Sequence, residues 1–509
     1  MAKKNEILVT FAASECDPWC KTGGLAEVIE ALPHALKNYK KSKNRYLASC
    51  FIPYYRLCKQ YIEQKGRQLI NTEIKVHAQL GNQTYVGTIL KVVPKNKKSD
   101  LDIYFVDCPE LFDREGIYND ENYLPFYDNP VRYAFFCHAV LQAAHQVLGR
   151  APDILHCHDW QTALLPVYKE LYNTPIWAKT KTVFTIHNMA YQGIFPKETM
   201  TALGLPWWLF TFDYLEFHNH LNLMKGGIRF SDAVTTVSPN YATEVKTQHF
   251  GENLDGLMRR STGKLVGILN GINRKRWTPE TDKYLAHPFN SKSIELKAKN
   301  REELLKEFGL NANPNQPVFG VVSRFADQKG LDMIAEVAPE LAKADCRLIV
   351  TGQGHPRLEH HFRYLAGRFP NHIGVRVGYK DSVAHRIIAG SDCFLMPSRY
   401  EPCGLTQMYS MRYGTVPVVH AVGGLKDTVV DLSILTAGNK KATGFVFETC
   451  DTPGLLWAIK RAIETYREEP KVWRQMMLTG MEKDFSWEAS IEQYDQLYDV
   501  LVSRQQANQ

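Results

Sequence analysis

Residues 393–406, CFLMPSRYEPCGLT, contain the pattern that decides the fold. A short apolar run at 393–396 ends in a polar loop, and an apolar helical stretch follows that loop. The run is apolar throughout instead of alternating with polar residues, as expected for a strand covered on both faces. A buried strand that leads through a loop into a helix is the repeating unit of a parallel sheet.

The same unit recurs along the whole chain. In the C-terminal half, strands are predicted at 318–322, 347–351, 374–377, 393–396, 416–420 and 444–447, with helices at 382–389 and 455–466. In the N-terminal half, strands are predicted at 7–12, 47–52, 103–106, 154–156, 182–186 and 233–237. The sequence therefore predicts an α/β protein made of two doubly wound, Rossmann-like domains.

Composition limits the class of protein. A chain of 509 residues with 44% apolar and 23% charged residues is expected to fold into two or three domains. A net charge of +7 is a weak bias at this length, and no basic stripe with interleaved aromatics predicts nucleic-acid binding. No apolar run reaches membrane-spanning length. We expect neither a nucleic-acid partner nor a membrane.

The cysteines and the N-terminal sequence both indicate the cellular compartment of the protein. The eleven cysteines form no CxxC pair, which favours reduced thiols. The first predicted strand begins at Ile7, too early for a secretion signal to precede it. The sequence therefore predicts a cytoplasmic protein.

Two similar turns could bind an anion. Lys21-Thr22-Gly23-Gly24-Leu25 and Val422-Gly423-Gly424-Leu425 each follow a loop and open an apolar helix. Paired glycines let a backbone approach a ligand, and a helix N-terminus offers free N–H groups. A tight strand-to-helix turn with a solvated lysine explains the first segment equally well, so both interpretations stay open.

Two further loops follow apolar strands of the C-terminal half. Arg324 and Lys329 could converge on one diphosphate, and their position after a strand favours binding over a solvated surface. Glu401 precedes Pro402, a favoured first helical residue. Taken alone, Glu401 is therefore better explained as a helix cap than as a catalytic carboxylate.

Histidines and aromatics complete the candidates. His156, His158 and His187 stand at strand ends, but their spacing matches no closed zinc site, so no metal is predicted. No GxSxG elbow predicts a serine hydrolase. The segment Trp207-Trp208-Leu209-Phe210, which continues to Phe212 and Tyr214, could stack on sugars, but core packing is the favoured interpretation.

Taken together and in order, the motifs resemble one family. The series is KTGGL at 21–25, HDWQT at 158–162, FTIHN at 184–188, VSP at 237–239, LNGI at 269–272, SR at 323–324 with QKG at 328–330, and EPCGLTQ at 401–407. It closely resembles the bacterial glycogen synthase and plant starch synthase family. The resemblance extends from Ile7 to Trp487.

The resemblance implies an architecture and a reaction. The architecture is GT-B: an N-terminal domain at 1–273 and a C-terminal donor domain at 274–486, facing across a deep cleft with the active site. A helix at 487–509 would cross back to the first domain. The reaction is retaining transfer of glucose from ADP-glucose to the non-reducing end of an α-1,4-glucan, with no cofactor and no metal.

The resemblance also implies residue roles. Arg324 and Lys329 would stabilise the leaving diphosphate, Glu401 would contact the glucosyl hydroxyls, and His187 would bond to the transferring sugar. The remaining implied contacts are with the donor, by Lys21, Gly23, Gly24, Asn270, Gly378, Tyr379, Cys403, Gly404, Leu405 and Thr406, and with the acceptor, by Asp159 and Trp160.

Four positions depart from the family pattern, and two alternatives remain. Glu27 stands where Asp is usual, Asn273 replaces the Asp of NGID, and His420 and Val422 stand where a basic residue and Thr are common. The alternatives are a non-catalytic glucan-binding or initiation protein and a transferase with a small sugar acceptor. Donor nucleotide, product and oligomeric state stay open.

Overall fold

The computed structural model describes residues 5–96, 101–122 and 124–507, so the N-terminal Met1–Lys4 of the sequence lie outside the description. The chain divides into two compact units. Unit 1 comprises Met1–Gly271 with Trp487–Gln509, and unit 2 comprises Ile272–Ser486. Unit 2 thus begins at Ile272, whose N–H donates to the Phe485 carbonyl at 2.8 Å within the same unit, whereas the predicted second domain begins at residue 274.

Unit 1 is built on a nine-stranded sheet within the described residues. The strands of unit 1 are β1 (Asn5–Ala12), β2 (Asn44–Pro53), β3 (Leu69–Leu80), β4 (Gln83–Val92), β5 (Asp102–Asp107), β6 (Ile154–His158), β7 (Lys181–Ile186), β8 (Ile194–Pro196), β9 (Glu216–Phe217), β10 (His220–Asn222), β11 (Ala233–Thr236) and β12 (Leu265–Gly267). The sheet order is β12-β11-β7-β6-β1-β2-β5-β4-β3, and β8-β10-β9 form a separate small sheet.

The helices of unit 1 up to the boundary are α1 (Gly24–Asn38), α2 (Arg56–Gln64), α3 (Pro109–Phe112), α4 (Asn129–Leu148), α5 (Leu164–Tyr172), α6 (Thr199–Ala202), α7 (Leu223–Phe230), α8 (Pro239–Glu244) and α9 (Asp255–Arg260). The strands from β12 to β5 run parallel, whereas β4 runs antiparallel to both β5 and β3. The central strands are fully buried, as at Val9 and Phe11, and this burial follows from their continuous apolar sequence.

Unit 2 is built on a six-stranded parallel sheet. Its strands are β13 (Val318–Val322), β14 (Arg347–Gly352), β15 (Ile373–Val377), β16 (Cys393–Met396), β17 (Val416–His420) and β18 (Phe445–Phe447). Its helices are α10 (Lys297–Glu307), α11 (Leu331–Lys343), α12 (Pro356–Arg368), α13 (Asp381–Gly390), α14 (Thr406–Arg412), α15 (Gly423–Thr428), α16 (Ile434–Gly438), α17 (Thr452–Glu468) and α18 (Pro470–Glu482). The order β15-β14-β13-β16-β17-β18 is that of a doubly wound sheet.

The last helix, α19 (Trp487–Ala507), belongs to unit 1. It packs against α1, and its Tyr498 hydroxyl lies 2.7 Å from Nδ1 of His156 in the middle of β6. Asp495 of the same helix accepts a 2.5 Å hydrogen bond from the Tyr46 hydroxyl. The C-terminal segment is therefore tied to the central sheet of unit 1 by buried polar contacts. No helix within residues 5–96, 101–122 and 124–507 is long and apolar enough to cross a membrane.

The structure corrects the core-packing prediction for the aromatic segment after α6. Core packing was favoured for Trp207-Trp208-Leu209-Phe210, but of these four only Leu209 is buried. Trp207 and Trp208 are 52% and 57% exposed, and Phe212 is 68% exposed. The segment forms a short 3-10 turn, which directs one apolar side chain inward and leaves its neighbours outward.

Candidate functional site

Each sheet reverses its strand order at one place. In unit 2 the chain proceeds from β13 to β14 and β15 on one side and from β16 to β17 and β18 on the other. In unit 1 the corresponding neighbours are β1 and β6. Ligands of doubly wound sheets bind outside the carboxyl ends of the strands at such switch points. Most of the predicted site residues follow the strands at these two places or their neighbours.

The unit 2 switch point brings together a lysine and a glutamate. Lys329 Nζ lies 2.6 Å from Oε2 of Glu401, and the Ser398 hydroxyl donates to the same oxygen at 2.9 Å. Glu401 is only 6% exposed. The helix-cap explanation for Glu401 is wrong, because α14 begins five residues later, at Thr406, and the carboxylate points to Lys329 instead. A buried carboxylate held in this way can accept hydrogen bonds from a ligand hydroxyl.

Arg324 lies on the same loop as Lys329, after β13, and few contacts hold its side chain. Its side chain is exposed, and its one hydrogen bond among the described residues is a long one of 3.4 Å to Oε1 of Gln328. Gln328 in turn donates to the Tyr400 carbonyl at 3.2 Å, which joins the loops after β13 and β16. The guanidinium therefore keeps most of its donors available for an anion.

Two glycines allow these loops to pack closely. At Gly330, where φ is +63°, a Cβ would lie 2.1 Å from the Pro397 carbonyl oxygen. At Gly423, where φ is +46°, a Cβ would lie 1.9 Å from the Glu401 carbonyl oxygen. Any side chain at either position would force the loop carrying Glu401 away from Lys329.

The other predicted donor residues of unit 2 lie on the same strand ends. The Gly378 N–H donates to the Gly352 carbonyl at 2.8 Å, and the exposed Tyr379 hydroxyl donates to Asp381 at 3.2 Å. Cys403 is buried, whereas Gly404, Leu405 and Thr406 are partly exposed at the start of α14.

The departures from the family pattern have structural explanations here. His420 Nδ1 donates to the Ser398 carbonyl at 2.8 Å, so it supports the residue that contacts Glu401. Val422 is 1% exposed, and its apolar side chain suits that buried position. His420 thus acts on Glu401 through Ser398.

The unit 1 switch point contains a carboxylate that sequence reasoning missed. Glu15 follows β1, is 3% exposed, and accepts hydrogen bonds from the N–H groups of Thr22 (2.5 Å) and Gly23 (3.2 Å). It also accepts from the Tyr118 hydroxyl at 2.6 Å. The Gly23 amide predicted to contact the donor is therefore occupied by Glu15. The only sequence signal was an acidic residue three positions beyond a buried strand.

Lys21 is also engaged within unit 1. Its Nζ lies 2.5 Å from Glu27 and 3.2 Å from Asp17. Gly24 is the first residue of α1, as the turn sequence predicted. Glu27, which departs from the family's Asp, thus has a defined partner, since its longer side chain reaches the lysine.

Three histidines lie on or directly after the neighbouring strands β6 and β7: His156 within β6, His158 at its end and His187 just beyond β7. His158 Nδ1 lies 2.9 Å from Nε2 of His187, and His156 Nε2 lies 2.6 Å from the Thr185 hydroxyl. Burial lowers the pKa of His156 and of His187 to about 3 and holds the pKa of His158 well below its usual range. All three rings are therefore neutral near pH 7. A neutral imidazole can donate or accept a hydrogen bond with an uncharged sugar.

Asp159 is tied to this histidine group. Its carboxylate accepts the His187 N–H at 2.8 Å. Burial raises the pKa of Asp159 to about 7, the amides of His187 and Asn188 oppose that shift, and the charge of Glu15 adds to it. Its backbone has φ +58° and ψ 179°, a region that is nearly restricted to glycine. Strain of this kind persists at sites where the surrounding structure fixes a side chain for function.

Trp160 and Asn270 are the remaining predicted site residues of unit 1. Trp160 is partly exposed and packs edge-on against Tyr133, with ring centroids 5.2 Å apart. Asn270 lies beyond β12, is buried, and its Oδ1 has no partner among the described residues. An unpaired buried oxygen of this kind is a candidate acceptor for a ligand. Asn273, the fourth departure, caps its own turn by accepting the Lys275 N–H at 3.0 Å.

No group of three or more His, Cys, Asp and Glu side chains in the described part of the chain is arranged to hold a metal ion. Arg324 and Lys329 both follow β13 and place two positive charges at the unit 2 switch point that could meet an anion.

Comparisons with known proteins agree with this geometry. A family model described as the starch synthase catalytic domain matches residues 8–260, and a model described as glycosyl transferases group 1 matches residues 302–476. The glycogen synthase of Koribacter versatilis is 41% identical over 493 residues, covering 96% of this chain and 97% of its own. The glycogen synthase of Myxococcus xanthus is 43% identical over 500 residues, covering 97% and 99%.

A solved structure is similar over the same span. The catalytic domain of starch synthase IV from Arabidopsis thaliana, bound to ADP and acarbose, superposes with a TM-score of 0.87 and 32% identity, over 98% of this chain and 100% of that chain. The fold is thus of the GT-B class. With its two switch-point sites and with relatives matched over nearly its whole length, the chain belongs to the bacterial glycogen synthase and plant starch synthase family of glycosyltransferases.

Proposed function

We propose that this protein transfers glucose from ADP-glucose to the non-reducing end of an α-1,4-glucan, with retention of the anomeric configuration. The observation that carries the proposal is the ion pair between Lys329 and the buried Glu401 at the switch point of unit 2, with Arg324 on the same loop as Lys329. The glycogen synthases that the chain resembles and the ADP-bound starch synthase support the same donor and acceptor.

The cations of unit 2 serve the leaving group. Breaking the bond between the sugar C1 and the donor phosphate oxygen leaves a second negative charge on the terminal phosphate of the nucleoside diphosphate. Fixed positive charges that meet this charge lower the barrier, since they need no reorganisation during the reaction. The Arg324 guanidinium can donate two parallel hydrogen bonds to phosphate oxygens, whereas the Lys329 ammonium acts as a compact positive charge. No metal ion is needed in this scheme.

Other unit 2 residues hold the rest of the donor. The carboxylate of Glu401 accepts hydrogen bonds from glucosyl hydroxyls. When Lys329 binds the diphosphate, the ion pair between Lys329 and Glu401 weakens. Gly378 and Tyr379 contact the nucleoside, and the partly exposed residues from Gly404 to Thr406 contact the distal phosphate.

Unit 1 serves the uncharged groups. Neutral His187 bonds to the transferring glucose, while Asp159 and Trp160 hold the acceptor. The acceptor 4-hydroxyl forms a bond to C1 on the face that the diphosphate leaves, and its proton passes to the departing phosphate oxygen. One C–O bond forms as one breaks, and no covalent enzyme intermediate is required.

We also propose a cytoplasmic location. The eleven cysteines are all free thiols, and ten of them are buried. Buried unpaired thiols at this number fit a reducing compartment.

The test is incorporation of labelled glucose from ADP-glucose and from UDP-glucose into glycogen and into free glucose as acceptors. Transfer from ADP-glucose to glycogen, with loss of most of the rate in Glu401→Gln, is the expected result. Transfer only to the small sugar would indicate the small-acceptor alternative. Glycogen binding without transfer from either donor would indicate a non-catalytic protein.

A further inference from the structure

A turn near the start of unit 2, residues 273–277, contacts the helix α13 that follows the proposed nucleoside residue Tyr379. The Asn273 side chain accepts the Arg276 N–H at 3.2 Å, and the Asn273 carbonyl accepts the Trp277 N–H at 2.9 Å. These bonds fix the backbone of the turn, and with it the points from which the side chains of Arg276 and Trp277 extend. Neither of these two side chains has a role in the proposed reaction.

Trp277 anchors the turn in the core of unit 2. Its ring is 3% exposed and lies between the His385 ring of α13 and the Tyr409 ring of α14. The ring centroids are 3.8 and 3.9 Å apart, with interplanar angles of 7° and 9°. His385 is fixed as well, because its Nδ1 lies 2.6 Å from Oδ2 of the buried Asp282. Large rings that are covered on both faces resist displacement, so the stack holds the turn against α13.

Arg276 extends from the anchored turn to Asp381, the first residue of α13. Its Nη2 donates to Oδ1 of Asp381 at 2.9 Å, and the same oxygen accepts the Tyr379 hydroxyl at 3.2 Å. The other carboxylate oxygen lies 3.9 Å from Nε2 of His385, the ring that stacks on Trp277. The turn and its stack therefore hold Asp381 at both oxygens, and Asp381 presents a fixed acceptor to Tyr379.

This chain of contacts matters because the Tyr379 side chain is 52% exposed. An exposed aromatic side chain samples several rotamers, and a ligand that stacks on it loses binding free energy in ordering it. A hydrogen bond from the ring hydroxyl to a fixed carboxylate orders the ring before the ligand arrives. Aromatic rings stack on nucleobases of every kind. An ordered Tyr379 ring therefore raises the affinity for a nucleoside without touching the bond that breaks.

We propose that Arg276 is a positioning residue for the donor nucleoside: it fixes Asp381, and through Asp381 it orders the Tyr379 ring on which the base stacks. This positioning role rests on the proposed function, since it assumes that the nucleoside binds at Tyr379. Arg276 acts equally on the bound substrate and on the transition state, because the base does not change during the reaction. Interactions of that kind alter the KM for the donor and leave kcat unchanged.

The test measures the dissociation constant for ADP by isothermal titration calorimetry in Arg276→Met, in Tyr379→Phe and in the double variant. We expect each single change to weaken ADP binding about fivefold, because each one frees the ring to rotate. The double variant is expected to show the same loss of about fivefold, since both changes break one connection. In Arg276→Met, the KM for ADP-glucose rises with the dissociation constant, and kcat stays within about twofold of wild type.

Two further variants separate positioning from general stability. Arg276→Lys keeps the positive charge and a donor, so it restores most of the affinity for ADP. The matched control is Arg274→Met, because Arg274 belongs to the same turn but lies 3.5 Å from Asp484 instead. It is expected to leave ADP binding unchanged. Arg276→Met keeps the melting temperature of wild type, since a partly exposed ion pair contributes little to stability.

Three outcomes overturn the positioning role. They are unchanged ADP binding in Arg276→Met, a fall in kcat at an unchanged KM, and a double variant weakened about 25-fold, which would mean that Arg276 contacts the nucleotide independently of Tyr379. The proposed function fails separately. Wild-type protein that binds ADP with the expected pattern among the variants but transfers no glucose would refute the transfer reaction and leave the role of Arg276 standing.

Discussion

The two switch points of this protein hold similar turns but opposite charge arrangements. In unit 2, Lys329 has one carboxylate partner, and the Arg324 guanidinium makes only one long hydrogen bond among the described residues. In unit 1, Lys21 lies between two carboxylates, and Glu15 takes the N–H groups of the Gly-Gly turn. The first arrangement leaves positive charge available to an anion, and the second does not.

The paired glycines show why the turn alone does not decide which ligand binds. The Gly424 N–H of unit 2 donates to the backbone carbonyl of Glu401 at 3.1 Å, whereas the Gly23 N–H of unit 1 donates to the carboxylate of Glu15. A buried carboxylate at the end of β1 thus replaces the phosphate that such a turn binds elsewhere. With its histidines neutral as well, unit 1 suits sugar hydroxyls and unit 2 suits a diphosphate.

The most direct test of this difference between the two units is to remove a positive charge from unit 2. In Lys329→Ala, the leaving diphosphate loses a fixed cation and Glu401 loses its partner, so we expect kcat with ADP-glucose to fall about 1,000-fold. Steady-state transfer to glycogen measures this effect. The matched control is Lys343→Ala, an exposed lysine of the same unit paired with Glu340, which stays within about twofold of wild type. A loss of less than tenfold in Lys329→Ala would contradict the assignment.

Acidification is expected to destabilise unit 1 more than unit 2, because unit 1 contains the buried histidine group of β6 and β7. The pKa values of His156 and His187 are about 3 in the folded chain and that of His158 is also low, against about 6.5 when unfolded. Unfolding therefore takes up protons below pH 6.5, and the free energy of unfolding of unit 1 falls as the pH falls. Asp159, with a folded pKa of about 7, acts in the opposite direction, and its stabilisation is lost as the pH rises from about 4 to 7.

Together these four groups take up about two protons on unfolding, which corresponds to about 3 kcal/mol of stability lost per pH unit near pH 5. Hydrogen exchange measured from pH 7 to pH 4.5 is expected to show β6 and β7 losing protection before β13 and β16 do. A His156→Gln variant reduces the pH dependence of unit 1 by about one proton. Simultaneous loss of protection in both units would contradict this prediction.

Strands that are buried on both faces were predictable, and half-exposed ones were not. The bounds of β13, β16 and β17 are those that the sequence predicted, because double burial leaves uninterrupted apolar runs. The hairpin of β3 and β4 was missed. Its residues alternate between exposed and partly buried positions at the edge of the sheet, so no apolar run marks it.

Side-chain partners far apart in sequence were the part of the site that could not be predicted. Lys329 and Glu401 were both singled out, but their contact spans 72 positions, and local rules favoured a helix cap. Glu15 was missed because no local motif marks it: it accepts hydrogen bonds from a turn seven residues later and from the Tyr118 hydroxyl, 103 positions away. Residues 207–210 were predicted to pack in the core because four apolar residues in a row do not show that a 3-10 turn exposes two of them, Trp207 and Trp208.

The smallest expected effect concerns the strained backbone of unit 1. Asp159→Gly and Asp159→Ala both delete the carboxylate that accepts the His187 N–H, but only the alanine keeps a Cβ at φ +58° and ψ 179°. Relief of that strain is worth about 1–3 kcal/mol, and the greater freedom of glycine in the unfolded chain offsets about 0.5–1 kcal/mol of it. We therefore expect the glycine variant to be more stable than the alanine variant by about 1 kcal/mol in urea unfolding, while both lose transfer to glycogen. Equal stability of the two variants would mean that residue 159 relaxes out of this conformation once the carboxylate is gone, so that the contact with His187 is what holds the strain in place.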